Sequence, residues 1–124
     1  YGLFLLENED SGVRDALRSM AGKDDFASNR LMAAQALGVC GDPDLAFSSI
    51  MKEVKTTGKG YVILQGINAF QYSRTDDRLT REDWLSFETR EWPSGRDPDP
   101  FGYDYAGRII KDALELWPGR RKVY

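Results

Sequence analysis

Two short stretches of this chain echo each other at a fixed spacing, and that spacing constrains the fold more than any other feature. Ala33-Ala34-Gln35-Ala36-Leu37 aligns with Gly66-Ile67-Asn68-Ala69-Phe70 at an offset of 33 residues. Each block follows an apolar residue, Leu31 or Leu64, and each closes on a Gly or polar break. Small apolar blocks recurring every ~30 to 45 residues mark stacked helix pairs. In such stacks each pair buries its apolar face against the next and cannot stand alone. For a chain of this kind the task is to be sought on its surfaces.

The apolar spacing predicts six helices and no strand. Val13, Ala16, Leu17 and Met20 recur at i, i+3, i+4 and i+7, one helical face, and Gly22 suits a left-handed cap ending that helix. The second helix runs from Phe26 to Val39, with Leu31, Ala34 and Leu37 as its stripe, widened by Ala33 and Ala36. Gly41-Asp42-Pro43 then offers a positive-φ residue, a cap and a first-turn proline. Ala46, Phe47, Ile50, Met51 and Val54 carry the third helix, which Gly58 and Gly60 break. Tyr61-Val62-Ile63-Leu64 has the composition of a strand, but it continues into the helical stripe Ile63, Ile67, Phe70, so the fourth helix extends to Arg74-Thr75-Asp76-Asp77-Arg78. Thr80 and Asp83 form a capping box, and Leu79 and Trp84 occupy the staple positions of a fifth helix that Pro93 ends. Ser94 to Gly102 reads as a loop. A last helix carries Ala106, Ile109, Ile110, Ala113, Leu114 and Trp117 up to Pro118. The expected organisation is one all-α domain over residues 1–124, with repeat-like pairs through 78, aromatic-rich helices over 79–118 and a basic tail over 119–124.

Composition removes several classes of function. The chain has 124 residues, enough for one buried core, and a net charge of -3, which speaks against a nucleic-acid partner. It has no histidine, and so lacks the commonest general base and metal ligand. Its single cysteine, Cys40, allows no internal disulfide. No apolar run reaches the ~18 residues of a membrane span. Tyr1-Gly2-Leu3-Phe4-Leu5-Leu6 is apolar without a basic leader, a poor signal peptide that reads better as the end of a cut helix.

Ala33-Ala34-Gln35-Ala36-Leu37-Gly38, followed by Val39-Cys40-Gly41-Asp42-Pro43, resembles the second helix of a HEAT repeat. Asn29-Arg30-Leu31 resembles the start of that helix, with Asn where the family has Val. The second copy is poorer, with Gly66 and Ile67 in place of two alanines. The likeness covers residues 11–74 and implies a short antiparallel helix-pair solenoid. Most of the chain is also similar to the helical C-terminal extension of some bacterial sulfatases, through Tyr105-Ala106-Gly107-Arg108 and Ala113-Leu114. That resemblance implies an accessory segment packed on a catalytic domain, in a periplasmic or secreted protein. Cys40-Gly41-Asp42-Pro43-Asp44 departs from the sulfatase Cys/Ser-x-Pro-x-Arg motif, so no catalytic residue, metal or cofactor carries over.

The remaining motifs were weighed on their chemistry. Asp97-Pro98-Asp99-Pro100-Phe101-Gly102-Tyr103-Asp104 suggests calcium, but counting from Asp97 puts Phe101 and Arg108 where an EF-hand needs oxygen ligands. A solvated turn capping the last helix is the simpler reading. Glu82, Asp83, Glu88 and Glu91 read as a solvated face, with Arg81 and Arg90 beside them. Cys40 reads as a small core residue, its thiol discouraged from ionising by Asp42, and Arg120-Arg121-Lys122 as a solubilising tail. Trp84, Phe87, Trp92, Phe101, Tyr103, Tyr105 and Trp117 crowd the C-terminal third. They either close the core at the end of the stack or form a contact patch for a partner. The expected function is therefore a non-catalytic module for protein–protein or domain–domain contact. The alternatives are a free-standing adaptor that binds a protein or peptide, and, more remotely, a small enzyme built on the acidic loop from Asp97 to Asp104.

Overall fold

The computed structural model describes residues 11–89 and 100–118, with side chains from residue 12 and, in the last helix, from Asp104. Six α-helices run through them: α1 Ser11–Lys23, α2 Ala27–Val39, α3 Pro43–Thr56, α4 Gly60–Tyr72, α5 Arg81–Glu88 and α6 Pro100–Glu115. A single 3-10 turn, Asp76–Arg78, precedes α5, and no strand occurs among the described residues. The all-α reading holds, including the stretch from Tyr61 to Leu64, which is helical.

The start signals act as the sequence implies. The Asp42 carboxylate accepts a hydrogen bond from the Leu45 N–H, and Pro43 takes the first turn of α3. At α5 the Asp83 N–H donates to Thr80 Oγ1 at 3.1 Å, and the Thr80 N–H donates back to Asp83 Oδ2 at 2.9 Å. Leu79 and Trp84 are both buried, as a hydrophobic staple requires.

The boundaries differ in four places. Gly22 lies inside α1, which continues to Lys23, and Gly41 is the glycine with positive φ among the described residues. Gly60 is the first residue of α4, and Thr57 to Lys59 already make the break. The residues after Tyr72 tighten into the 3-10 turn. The last helix starts at Pro100, so Gly102 lies in its first turn instead of in a loop. Asp99-Pro100 repeats the Asp42-Pro43 pair, a signal that the loop reading passed over. The stop assigned to Pro93 falls outside the described residues.

Neighbours follow a regular order. α1 packs on α2, α2 on α3, α3 on α4, and α5 on α6, while α2 also meets α4 and α4 meets α6. The connections between successive helices through α4 are only a few residues long, so the chain doubles back each time. This order is compatible with stacked helix pairs in which α2, α4 and α6 form the inner series. Leu31, Leu37, Ile50, Ile63, Phe70 and Trp84 are the largest fully buried apolar side chains of the core.

The echo in the sequence has a full structural counterpart. Helices α2 and α4 are both 13 residues long, and their boundaries lie 33 residues apart at each end. Each is preceded by the same side-chain turn, in which the Phe26 N–H donates to Asp24 Oδ1 at 2.9 Å and the Lys59 N–H to Thr57 Oγ1 at 3.1 Å. Each is followed by the same left-handed turn. Gly41 (φ 99) lets the Asp42 N–H reach the Leu37 carbonyl, and Arg74 (φ 61) lets the Thr75 N–H reach the Phe70 carbonyl, both at 2.9 Å. These are Schellman closures, which satisfy carbonyls the helix end would otherwise leave open. In the preceding helices Leu17 and Ile50, and Ala21 and Val54, are buried at the same offset. The unit thus spans residues 11–42 and 44–75, although within α2 and α4 only Leu31/Leu64 and Ala36/Ala69 are identical.

Two close approaches depend on missing side chains. A Cβ on Gly38 would fall on the Ser73 carbonyl oxygen and lie 2.9 Å from Ser73 Cα, so the end of α2 meets the backbone that closes α4. A Cβ on Gly66 would meet Val54 Cγ2 at 2.5 Å.

Candidate interaction surfaces

The seven aromatic residues proposed as a patch are not brought together on one surface. Trp84 and Phe87 are core residues, 1% and 3% exposed, with their rings edge-on at 5.7 Å. Of the two roles open to them they take that of closing the core, because the short amphipathic α5 has few other residues with which to seal α6. Trp117 is half-buried against the same core. Tyr105 is exposed, with the Arg108 guanidinium over its ring at 5.5 Å. Trp92 and the side chains of Phe101 and Tyr103 lie outside the described residues.

Acidic residues do not gather either. Glu82, Glu88 and Asp104 are exposed, Asp83 is engaged in the capping box, and Glu91, Asp97 and Asp99 fall outside the described residues. Among the described residues no group of three or more His, Cys, Asp and Glu could hold a metal ion. Cys40 is buried, and burial pushes its thiol pKa up while the charge of Arg14 offsets part of the rise. The direction agrees with the sequence reading, but the cause is desolvation and not Asp42, whose carboxylate is turned to Leu45 and Arg18. Among the described residues no helix is long and apolar enough to cross a membrane.

The structure does show two concave surfaces that sequence reasoning missed. The first is an apolar groove of about 740 Å³ between α1 and α2, lined by Val13, Leu17, Met20, Met32 and Ala36, with Tyr72 also on its wall. Met20, Met32 and Tyr72 are 44%, 60% and 50% exposed. The helical stripe through Val13, Leu17 and Met20 was visible in the sequence. That one end of it would lack a neighbour was not.

The second is a cleft of about 650 Å³ where the starts of α2 and α4 lie side by side, lined by Phe26, Arg30, Glu53, Lys59 and Tyr61. Its floor is a forked ion pair. Arg30 Nε and Nη2 donate to the two carboxylate oxygens of Glu53 at 2.5 and 3.1 Å, and Nη1 donates to the Asp24 carbonyl at 2.7 Å. The hydrogen bonds to Glu53 make Arg30 hold its proton more tightly than a free arginine, against the cost of partial desolvation. Beside the pair, Ser28 and Gln65 tie α2 to α4: Ser28 Oγ donates to Gln65 Oε1 at 2.9 Å, and Gln65 Nε2 donates to the Ser28 carbonyl at 3.3 Å. With its fixed charges mutually satisfied, the floor is preorganised. Above it Phe26 is 70% exposed and Tyr61 46% exposed, with Lys59 Nζ 5.8 Å from the Tyr61 ring centroid.

Phe26 carried a signal that the sequence reading absorbed into the helix. It stands at the N-cap of α2, a position that favours Ser, Thr, Asp or Asn, and it makes no side-chain cap bond there. A large apolar ring where local structure gains nothing from it points to a role outside the fold. Compared with protein-family models, curated proteins and solved structures, the chain finds no match.

Proposed function

We propose that this chain is a non-catalytic helical module that holds another protein or domain against the cleft formed by the starts of α2 and α4. The observation that carries this reading is the pair of exposed rings, Phe26 and Tyr61, over a rigid Arg30–Glu53 floor. Aromatic and arginine side chains dominate the energetics of protein contacts, and an anchor held on rigid helices loses little entropy on binding. Mixed charge around the rings (Asp25, Arg30, Glu53 and Lys59) suits a polar protein segment with an apolar residue at its centre. The finer reading, an accessory segment of a sulfatase-like protein of HEAT type, rests on the likeness of Ala33–Gly38, Tyr105–Arg108 and Ala113-Leu114 to those families. A free-standing adaptor is the second reading, and the same cleft supports it.

The test is site-specific photocrosslinking in the native host, with the reactive residue at position 26 or 61 and a control at exposed Glu82. Both cleft positions should give one dominant adduct, and Phe26→Ala should remove the adduct from position 61. An adduct with a domain that carries the Cys/Ser-x-Pro-x-Arg motif favours the accessory segment, and an unrelated protein favours the adaptor. Cleft positions that react no more than position 82 would sink the contact reading.

A further inference from the structure

The apolar groove on α1 and α2 is a copy, one repeat earlier, of an interface the molecule already contains. In the second unit Glu53, Gln65 and Gly66 face the first: Glu53 pairs with Arg30, Gln65 bonds to Ser28, and a Cβ on Gly66 would lie 3.9 Å from Leu31 Cδ2. Thirty-three residues before these stand Met20, Met32 and Ala33, and all three line the groove. Glu53 is 7% exposed where Met20 is 44% exposed. The groove is the surface that would be covered if one more inner helix lay in front of α2 in the way that α2 lies in front of α4.

The same offset says which residues those are. Residues 34–39, the last half of α2, map back onto Tyr1-Gly2-Leu3-Phe4-Leu5-Leu6. Phe4 falls in register with Leu37 and Phe70, both 0% exposed and both the carbonyl acceptors of a left-handed closure. Asn8 falls in register with Gly41 and Arg74, the residues with positive φ. Asn is, after Gly, the residue that most readily takes that conformation. We infer that residues 1–6 form the final turns of a leading inner helix that packs into the groove, closed by a left-handed turn at Asn8. Six helical residues cover about 8 Å, against the roughly 10 Å from Val13 to Met20 along α1, so the segment fills most of the groove. Leu5 stands where Gly38 makes its backbone contact with Ser73, so this helix sits further out than α2 does and fills the added width with its own leucine. The position that Leu5 faces, one repeat before Ser73, is Cys40.

This register is independent of the function proposed for the cleft, and it is tested on the full chain by two measurements. Phe4→Ser should lower Tm by more than about 5 °C, as expected for a polar residue in a buried aromatic site, whereas Leu6→Ser, in register with half-buried Val39 and exposed Tyr72, should leave Tm within about 1 °C. Under mild oxidation Leu5→Cys should form an intramolecular disulfide to Cys40, seen as a mass loss of about 2 Da in a monomer that runs fast on a non-reducing gel. Equal or silent effects of the two serine substitutions overturn the inference, as does failure of the intramolecular bond to form. Disulfide-linked dimers in its place would assign the groove to a second copy of the chain.

Discussion

Residues 11–42 and 44–75 reach one backbone through different side chains. At the C-cap of the inner helix the first unit buries a thiol, Cys40, and the second a hydroxyl, Ser73, that donates to the Phe70 carbonyl at 3.2 Å and lies 2.8 Å from Thr75 Oγ1. The left-handed residue is Gly41 in one and Arg74 in the other. Gly38 in the first unit is matched by Gln71, and Ala33 by Gly66 in the second. What the two share is the spacing of helix starts, buried positions and closures. Where their faces differ, in the contacts they make with each other, the residues are tailored: each glycine that permits a close approach occurs in one unit only. Repetition therefore fixes the path of the chain, and the departures from it fix how closely the helices approach.

The comparison breaks most readily at Gly38. Alanine there gains about 1 kcal/mol of helix propensity but sets a Cβ onto the Ser73 backbone, which cannot rotate away. Overpacking of this kind costs up to about 3 kcal/mol. Gly38→Ala should lose about 2 kcal/mol in urea denaturation, while Gln71→Ala, the same position in the other unit, should change stability by less than about 0.5 kcal/mol. Equal effects would mean that the two units do not differ at this contact.

Next in size is the exchange of left-handed residues. A side chain in this region costs about 1 to 2 kcal/mol, partly offset because glycine loses more entropy on folding. Gly41→Ala should therefore destabilise by about 1 kcal/mol, and Arg74→Gly should stabilise by about 0.5 kcal/mol, both read from the urea midpoint. A loss on Arg74→Gly would show that the arginine side chain contributes more there than its backbone strain costs.

How much of this was legible depended on whether a feature was local. The Gly41-Asp42-Pro43 turn, the Thr80–Asp83 box and the six helices follow from short-range chemistry and appear in the structure as read. The left-handed turn at Arg74 did not announce itself, because nothing about arginine signals positive φ. It becomes visible only by counting 33 residues on from Gly41. Trp84 and Phe87 look alike as core or as contact in a sequence, and it is their packing against α6 that places them inside. The cleft joins residues 26–30 to 53–61, segments that come together only when α2 lies beside α4. Phe26 was within reach, as a ring at a position where capping residues belong. Met20 and Met32 belong to stripes that were read correctly, but whether a stripe is covered depends on a neighbour, not on the stripe.

A smaller effect is expected at Gly66, whose obstacle is the side chain of Val54 and not backbone. The helix-propensity gain and the overpacking cost nearly cancel, so Gly66→Ala should fall within about 1 kcal/mol of wild type. Its sharper readout is coupling. With Val54→Ala in place the added methyl has room, and the double variant should be more stable than the sum of the single changes by about 1 kcal/mol. Additivity would mean that α3 and α4 already yield at this point.

The smallest effect distinguishes the two C-cap residues by pH. Burial raises the Cys40 thiol pKa in the folded chain, so the folded state binds that proton more tightly than the unfolded state does. The stability linked to it is fully present below the unfolded value of about 8.5 and is lost as pH rises through the folded value. Ser73 carries no group that titrates in this range, and its hydrogen bonds to Phe70 and Thr75 hold at any such pH. At neutral pH Cys40→Ala and Ser73→Ala should each cost about 1 kcal/mol, one from lost packing and the other from a lost buried hydrogen bond. From pH 7 to pH 10 the gap between wild type and Cys40→Ala should be flat at first and then narrow, while the gap for Ser73→Ala stays constant. Urea midpoints at four or five pH values decide it: parallel curves for the two variants would place the Cys40 thiol in a site that solvates its anion, and the units would then be alike at the one position where they are proposed to differ in charge.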